Sequence, residues 1–369
     1  IGWQKVQGMC QAGAAGTILY DTCDVFTRSI SVNNSRPWNK ESSPVGSSAC
    51  TVLACTTPAH SVDRVQVTRA AQLCLSSNGS TANLTIGRTL ELTQNAELVL
   101  AYSQSLVVKG MLRLSSASIS TTGLSRQSHT SLFAETLSVD ALSSISGIAV
   151  ANVSSNAKIE GRVTSPFSLK LNMGSNKPNS SEGELSVGYL GSIASHTLEV
   201  TAGHVAVHGK MLATASFEGP FVRNCSEPLE PEPPDPESLH PMRLYSPSLS
   251  LPSGGVIASG GILVCSKKVE LIASSISAEG IGLAPGQGLG PGTQHNGGPG
   301  SGGGHGGHGG RSGAFHYWGK RAEGGPAYGE SLLPSQLGSG GGGRSVDQPL
   351  GGSGGGVVHI YTQSFSIRE

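Results

Sequence analysis

The stretch that decides the fold lies at residues 106–120 and reads LVVKGMLRLSSASIS. Apolar and polar residues alternate at residues 112–114 and again at residues 118–120. Alternation with a period of two over three to five residues predicts short β-strands with one buried face. Ser, Thr, Asn or Gly follows each run, so each strand is expected to end after a few residues.

The same texture extends from about residue 84 to residue 217. Further short runs are LEL at residues 90–92, ELVL at 97–100 and LKL at 169–171. No stretch keeps a 3.6-residue apolar stripe for three turns, and Ser, Thr and β-branched residues are poor helix formers. We therefore expect an all-β protein in which helix is scarce.

Weak self-similarity along the chain predicts that the strands stack. Residues 115–120 (SSASIS) precede Gly123 much as residues 274–277 (SSIS) precede Gly280. Residues 106–112 (LVVKGML) likewise echo residues 205–212 (VAVHGKML). This pattern predicts a right-handed parallel β-helix, a β-solenoid whose coils bury a thin apolar interior lined by small side chains. The alternative is a β-sandwich, which requires longer strands and clearer hairpin turns.

Two compositional interruptions divide the chain. Residues 227–241 are acidic and rich in proline, which predicts a solvated loop. Residues 280–356 contain 31 of the 53 glycines. The expected regions are a cysteine-containing N-terminal β region (1–75), a β-solenoid (76–226), an acidic Pro-rich loop (227–245), continued solenoid coils (246–283), a glycine-rich segment (284–356) and returning β-strands (357–369).

The glycine-rich segment has two possible interpretations. Glycine loses the most backbone entropy on folding, which favours a flexible insert. The segment nevertheless contains Tyr317, Trp318, Tyr328 and Leu337, and it ends in the strand-like run at residues 357–361. A flexible linker has no use for such large apolar groups. The composition therefore favours extended, closely packed, ordered segments.

Charge and hydropathy exclude several classes of function. Lys+Arg and Asp+Glu balance at 24 each, so no net basic field recruits nucleic acid. No run of 18 apolar residues occurs, which predicts no membrane span in this stretch. The chain begins at Ile1 without a charged and apolar leader, which is expected of a processed chain or a fragment.

Cysteines and sequons indicate an oxidising, secretory compartment. Pairing Cys225 with Cys265 would close a loop around the proline-rich run, whereas Cys10 with Cys23 and Cys50 with Cys55 are local choices that leave Cys74 over. The six candidate N-glycosylation sites are Asn33, Asn78, Asn83, Asn152, Asn179 and Asn224. Those at residues 78, 83, 152 and 179 are expected in turns, and the one at 224 where the chain leaves the solenoid. Ser246, before Pro247, is a further candidate for O-glycosylation.

Motifs for catalysis or metal binding do not come together in the sequence. Residues 351–355 match G-x-S-x-G, but no hydrophobic strand and helix flank them as a nucleophile elbow requires. His305 and His308 lack a neighbouring carboxylate or cysteine that would orient them on a metal. Carboxylates such as Glu97 and Glu199 are scattered singly rather than paired for glycoside hydrolysis. We expect no enzyme activity, no metal and no cofactor.

Several short motifs, in a shared order, resemble very large glycine-rich surface proteins of plants, algae and other protists. They are residues 13–21 (GAAGTILYD), 239–241 (LHP), 276–282 (ISAEGIG), 300–310 (GSGGGHGGHGG), 327–329 (AYG), Pro334, 337–340 (LGSG) and 354–358 (GGGVV). The resemblance implies a secreted or membrane-anchored ectodomain of recurring β-rich and Gly-rich units, without catalytic residues to carry over. Some members have cysteines within the Gly-rich stretch, and this chain has none there.

The expected function is structural. The chain is predicted to be a glycosylated unit of an extracellular fibre, wall, coat or flagellar-surface appendage, whose partners are other copies or neighbouring repeats of a larger chain. The alternative is an adhesion or receptor ectodomain that binds carbohydrate on a solenoid face. Low aromatic content, 5%, disfavours that alternative, because sugar platforms favour exposed Trp and Tyr.

Overall fold

The computed structural model describes most of the chain. The described residues are 11–13, 17–21, 29–33, 51–54, 61–69, 71–76, 83–100, 104–122, 130–174, 182–215, 241–294, 299–313, 321–330, 336–343 and 351–369. These ranges contain β-strands and no helix, as the alternating apolar pattern predicts.

Twenty-seven strands occur in the described ranges. In chain order they are β1 (Gln11–Gly13), β2 (Thr17–Asp21), β3 (Ser29–Asn33), β4 (Thr51–Ala54), β5 (Ser61–Thr68), β6 (Gln72–Ser76), β7 (Asn83–Thr93), β8 (Glu97–Leu100), β9 (Ser105–Ser115), β10 (Ser118–Thr121), β11 (Ser131–Val139), β12 (Ser144–Ser146), β13 (Val150–Val153), β14 (Asn156–Ile159), β15 (Arg162–Met173), β16 (Glu184–Val187), β17 (Ser192–Thr201), β18 (His204–Val207), β19 (Lys210–Ala213), β20 (Met242–Tyr245), β21 (Ser248–Leu251), β22 (Val256–Ser259), β23 (Gly261–Cys265), β24 (Lys268–Ile272), β25 (Ser275–Ser277), β26 (Val357–Tyr361) and β27 (Ser364–Arg368).

The strands stack in three parallel ladders, and the chain visits them in a fixed order. The first ladder runs through the starts of β5, β7, β9 and β11, then β13, the ends of β15 and β17, β20, β23 and β26. The second runs through β3, the ends of β5, β7, β9 and β11, then β14, β16, β18, β21, β24 and β27. The third runs through β4, β6, β8, β10, β12, the starts of β15 and β17, β19, β22 and β25.

One passage through the three ladders makes one coil. The eleven strands of the second ladder number the coils, from β3 in the first to β27 in the eleventh. Paired residues of neighbouring coils are as few as eighteen residues apart, because Ser144 pairs with Arg162 and Ser192 pairs with Lys210. Such short coils explain why the apolar runs in the sequence are short.

The core is a continuous apolar column inside the coils. Alternation along each strand points every second side chain inward, and parallel register places equivalent residues of successive coils on one another. One inward row of the second ladder consists of Val65, Leu90, Leu112, Leu137, Ala157, Leu185, Val205, Leu249 and Val269, all of which are buried. The alternating residues of the sequence therefore form the lumen.

The corners between ladders are stabilised by small residues. A Cβ on Gly191 would stand 2.2 Å from the Ile159 carbonyl oxygen of the coil before it, so only glycine fits the turn between the second and third ladders there. At the corner between the first and second ladders, Ser246, Ser266 and Thr362 occupy stacked positions. Each hydroxyl donates to the carbonyl two residues ahead, at 2.7 or 2.8 Å. Repeated side-chain bonds of this kind make each turn alike.

The predicted all-β fold is confirmed, and the mostly parallel pairing is consistent with the predicted solenoid. A β-sandwich would consist of antiparallel sheets, but only β1 with β4 and β2 with β3 pair antiparallel among the described strands. The SSIS echo is also meaningful, since β10 and β25 both lie in the third ladder. In the second echo the matching residues lie in different ladders: residues 106–108 lie in the first ladder, whereas residues 205–207 lie in the second.

Several expected region boundaries differ from the strand boundaries. The boundary at residues 75/76 falls inside β6, and the second and third ladders run across it. Residues 242–245, expected in the acidic loop, form β20. Strands β26 and β27 are the expected returning strands. Both compositional interruptions lie along the chain between a third-ladder strand and the next first-ladder strand, between β19 and β20 and between β25 and β26.

Candidate functional site

The eleventh coil leaves lumen residues uncovered. Phe365 and Ile367 occupy the inward rows of the second ladder, paired with Val269 and Leu271 of the tenth coil. Val269 is completely buried, whereas Phe365 is 46% exposed and Ile367 is 68% exposed. Among the described strands β27 pairs only with β24, and its other backbone edge and these two side chains form an apolar coil end, which we call the open end. Such an edge is a template for pairing with another chain.

The opposite end of the coils is organised differently. β1 pairs antiparallel with β4, and β2 pairs antiparallel with β3. These strands interrupt the parallel register of the third and second ladders in the first coil. No polar, helix-like cap is evident in the sequence at either end of the predicted solenoid. The structure instead places antiparallel strands at one end, which change the direction of pairing there.

The described parts of the glycine-rich segment are cross-linked by backbone hydrogen bonds with a period of three residues. Leu283 and Gly286 donate to the carbonyls of Gly338 and Gly341, three residues apart on both segments. Gly306, Gly309 and Ser312 donate in turn to the carbonyls of Tyr328, Gly325 and Ala322, so these two segments run in opposite directions. Polyproline II helices have three residues per turn and no internal hydrogen bonds, and the observed period matches that geometry.

Glycine is required at the contacts between these segments. A Cβ on Gly309 would lie 2.1 Å from the Gly302 carbonyl oxygen, and one on Gly354 would lie 1.8 Å from the Gly338 carbonyl oxygen. The neighbouring residues Gly310 and Gly355 have no heavy atom within 4 Å of the same position. The segments therefore pack backbone against backbone on one side. We call this arrangement, in the described parts of residues 278–356, the glycine bundle.

Tyr328 and Leu337 anchor the glycine bundle, as the sequence predicted. The Tyr328 hydroxyl donates to the Leu337 carbonyl and accepts from Ser339 Oγ at 2.8 Å. Leu337 is buried against Val357 at the start of β26. Tyr317 and Trp318, which the sequence also named as anchors, lie outside the described residues. The described parts of the segment thus agree with the ordered interpretation, which stays a prediction for the segment as a whole.

Charged side chains on the outward faces bridge neighbouring coils. Lys170 Nζ lies 2.6 Å from Glu199 Oε1, and Gln72 Nε2 donates to Glu97 Oε2 at 2.9 Å. Glu97 also accepts from Ser120 Oγ at 2.8 Å. Glu97 and Glu199 therefore connect coils and are not arranged as a pair for acid–base chemistry.

Asp140 joins the fourth and fifth coils at a corner. Its carboxylate accepts from Ser143 Oγ at 2.5 Å, from Ser115 Oγ at 3.0 Å and from the Ser116 backbone N–H at 3.0 Å. Partial burial acts to raise the pKa of Asp140, but the hydrogen bonds from Ser143, Ser116 and Ser115 together lower it below its usual value. Ser143 lies three residues from Asp140 in the same coil, whereas Ser116 and Ser115 bond to it from the fourth coil, 24 and 25 residues away along the chain.

Outward positions of the first ladder are buried at the ninth and tenth coils. Arg243 is 9% exposed and Leu263 is 2% exposed. Burial raises the pKa of Tyr245 on the same face, with the Arg243 charge acting in the opposite direction. These observations are expected where a further segment of the chain lies against this face.

Cys74 and Cys265 are both disulfide-bonded. Cys74 lies in the second coil and Cys265 in the tenth, roughly 38 Å apart at about 4.8 Å per coil, so they do not bond to each other. The expectation that Cys74 is left over is wrong. Cys10, Cys23, Cys50, Cys55 and Cys225 lie outside the described residues.

The position of Cys265 favours the predicted pairing. The first four of those cysteines lie within two residues of β1, β2 or β4, which belong to the first coil. That coil is roughly 43 Å from the tenth at about 4.8 Å per coil. Along the sequence Cys225 lies between β19 and β20, and β20 pairs with β23, the strand that Cys265 ends. Pairing of Cys225 with Cys265 remains a prediction.

The sequons fall at several kinds of position. Asn152 lies within β13 rather than in a turn, so the expectation of a turn is wrong there, and its side chain is half-buried on the outward face. Asn33 ends β3, and Asn83 begins β7 rather than lying in a turn. Asn78, Asn179 and Asn224 lie outside the described residues. Ser246 is buried, with its hydroxyl bonded to the Ser248 carbonyl, which opposes O-glycosylation.

Within the described residues no group of three or more His, Cys, Asp or Glu could hold a metal ion.

A small apolar space in the lumen of coils five to seven is lined by Leu132, Ile145 and Met173 among others. No helix in the described ranges is long and apolar enough to cross a membrane.

His305 packs edge-on against Tyr328, with ring centroids 5.0 Å apart. His308 is exposed, and His316 lies outside the described residues.

Comparison of the chain with protein-family models, curated proteins and solved structures finds no match. The features of the molecule that bear on its function are the open end, the glycine bundle and the outward faces.

Proposed function

We propose that this chain is a structural glycoprotein unit of a secreted extracellular fibre, wall, coat or flagellar-surface appendage, built as a β-solenoid. The observation that carries the proposal is the open end, where Phe365 and Ile367 continue two buried rows but are themselves exposed. Covering these side chains with a further coil gains hydrophobic free energy of about 25 cal/mol per Å². The partner is a second copy or a neighbouring repeat of a larger chain.

The glycine bundle supports the same role. Its packed glycines hold extended segments together without side chains. The chain passes directly from the bundle into β26, where the Val357 N–H donates to the Gly260 carbonyl. It thus connects the tenth coil to the eleventh. A rod of stacked coils with a backbone-bonded side element is suited to bearing load rather than to catalysis. The resemblance to glycine-rich surface proteins is in keeping with this proposal.

The test compares two substitutions on β27. Ile367→Glu places a charge on the open end, whereas Ser364→Glu places the same charge at an outward position of the same strand, beside Lys268. Secreted wild-type protein should associate end to end as its concentration rises, seen by sedimentation and electron microscopy. Ile367→Glu should remain monomeric and Ser364→Glu should associate like the wild type. Monomers at every concentration of the wild type would overturn assembly through this end.

A second candidate function is carbohydrate binding by an adhesion or receptor ectodomain. Tyr189, at a corner of the seventh coil, is 69% exposed, and its ring centroid lies 4.8 Å from that of His208. An exposed tyrosine of this kind can stack on a sugar ring. Glycan-array binding that Tyr189→Ala abolishes would favour this function over the structural one.

A further inference from the structure

The outward face of the first ladder carries a short row of polar and aromatic side chains around one sequon. Val107, Phe133, Asn152 and Asn172 occupy paired positions on four successive strands, β9, β11, β13 and β15. Side chains at paired positions of parallel strands lie next to one another on the same face. Asn152 therefore stands between Phe133 on one side and Asn172 on the other.

The amide of Asn152 is held in one orientation. Asn172 Nδ2 donates to Asn152 Oδ1 at 2.7 Å. This bond directs the oxygen of the Asn152 carboxamide toward the seventh coil. Its Nδ2, the other branch of the same carboxamide, is then not the atom turned to Asn172, and Phe133 is the neighbour of Asn152 on the opposite side. Nδ2 is the atom to which an N-linked sugar is attached.

Phe133 is placed to receive such a sugar. It is 38% exposed at an outward position of β11, although phenylalanine is usually buried. The aromatic face is apolar, and so is the face of a sugar ring that carries axial C–H groups, so the two can pack together. The hydroxyl-bearing residue of the sequon, Ser154, is exposed just beyond the end of β13.

We propose that Asn152 carries an N-linked glycan whose first sugar packs on the ring of Phe133, with Asn172 as the residue that positions the amide. This inference rests on the proposed secreted glycoprotein, and it adds a glycan seat that is part of the solenoid surface. The glycan at this site contributes to stability through its first sugar, whereas the outer sugars extend into solvent.

The experiment is a double-mutant cycle on the full chain secreted from a eukaryotic host. Phe133→Ala is combined with Ser154→Ala, which removes the sequon and leaves Asn152 and Phe133 in place. Melting temperature is measured for the four proteins, and glycopeptide mass spectrometry gives the occupancy of Asn152. Val107→Ala is the matched control, because Val107 lies in the same row on the far side of Phe133.

We expect Phe133→Ala to lower the melting temperature more when the glycan is present than when it is absent, by on the order of 1–2 °C. Trimming the glycan to its first sugar with an endoglycosidase should keep this coupling, and complete removal should abolish it. Asn172→Ala should weaken the coupling, and Val107→Ala should leave it unchanged.

Two further outcomes separate this inference from the proposed function. An occupied Asn152 with additive effects of the glycan and Phe133 would overturn the glycan seat and leave the secreted glycoprotein intact. Glycans at other sequons with an unmodified Asn152 would do the same. Absence of glycans from all six sequons would count against the proposed function itself.

Discussion

The coils and the glycine bundle are ordered by opposite means. In the coils, inward Leu, Ile and Val side chains stack in rows and are almost completely buried, as at Leu90 and Leu112. In the glycine bundle, the absence of a side chain at Gly309 or Gly354 allows backbones to approach and bond. Packing in the coils depends on the side chains that are present, whereas packing in the glycine bundle depends on the space that a side chain would otherwise fill. Removing atoms should damage one region, and adding atoms should damage the other.

The largest expected effect comes from removing a lumen side chain. Leu112→Ala should lower the free energy of unfolding by about 2–5 kcal/mol, because Leu112 is fully buried between Leu90 and Leu137. Its neighbour Arg113 points outward, 3.9 Å from Glu91, so Arg113→Ala should change stability by no more than about 0.5 kcal/mol. Urea denaturation followed by circular dichroism measures both. Equal effects of the two substitutions would contradict the inward assignment of Leu112.

The next largest effect concerns the predicted disulfide between Cys225 and Cys265. A bond between Cys225 and Cys265 closes a loop of about 40 residues, worth roughly 3–4 kcal/mol in the chain-entropy model. Cys265→Ser and Cys225→Ser should therefore destabilise equally, and the double variant should be no worse than either one. Peptide mapping without reduction should recover the linked pair. Recovery of Cys225 as a free thiol is the result that rules the pairing out.

A smaller effect is expected from adding one methyl group to the glycine bundle. Gly309→Ala should disturb the contact with Gly302 and cost about 1–3 kcal/mol locally, whereas Gly310→Ala meets no atom within 4 Å. The exposed alanine at 310 should be neutral, or stabilising by about 0.4–1 kcal/mol through the unfolded chain.

Hydrogen exchange of the backbone amides measures the effect of these two substitutions directly. In the wild type, the amides of Gly309, Ser312 and Gly341 should exchange slowly because each donates to another segment. Gly309→Ala should speed their exchange while the amides of the coils stay protected. Rapid exchange throughout residues 297–356 of the wild type would show a solvated tether instead of a bundle.

The smallest effect is a pH dependence of the coils. The lowered pKa of Asp140 means that the folded chain holds this carboxylate in its charged form more strongly than the unfolded chain does. Its contribution is therefore complete above the unfolded pKa of about 3.9 and is lost as pH falls through the folded value. Asp140→Asn should cost roughly 0.5–1 kcal/mol at pH 7, and this difference should vanish in acid.

Glu160→Gln serves as the control for this prediction. Glu160 contacts only Lys158 among described cations, at 3.3 Å on the surface. Its substitution should leave stability almost unchanged at pH 7, as is typical of exposed ion pairs. A pH profile of Asp140→Asn parallel to that of the wild type would mean that the corner bonds do not depend on the carboxylate.

Local patterns in the sequence determined the class of structure. The short apolar runs at residues 97–100 and 357–361 are local features of the sequence, and they form β8 and β26 with the predicted bounds. The large apolar residues among the glycines, such as Tyr328 and Leu337, likewise indicated an ordered segment. Inferences of this kind depend on local patterns, because the side chains that pack a strand or an extended segment are neighbours along the chain.

Only the tertiary structure decided what depends on the stacking of distant coils. Two partners of Asp140, Ser116 and Ser115, lie 24 and 25 residues away, and the amide of Asn152 is oriented by a residue twenty positions later. The open end is likewise invisible in the sequence, since Phe365 and Ile367 alternate with polar residues as buried strands do. The physical reason is that the register between coils depends on packing in the lumen and on the lengths of the corners. The effects of both add up over the whole stack of coils.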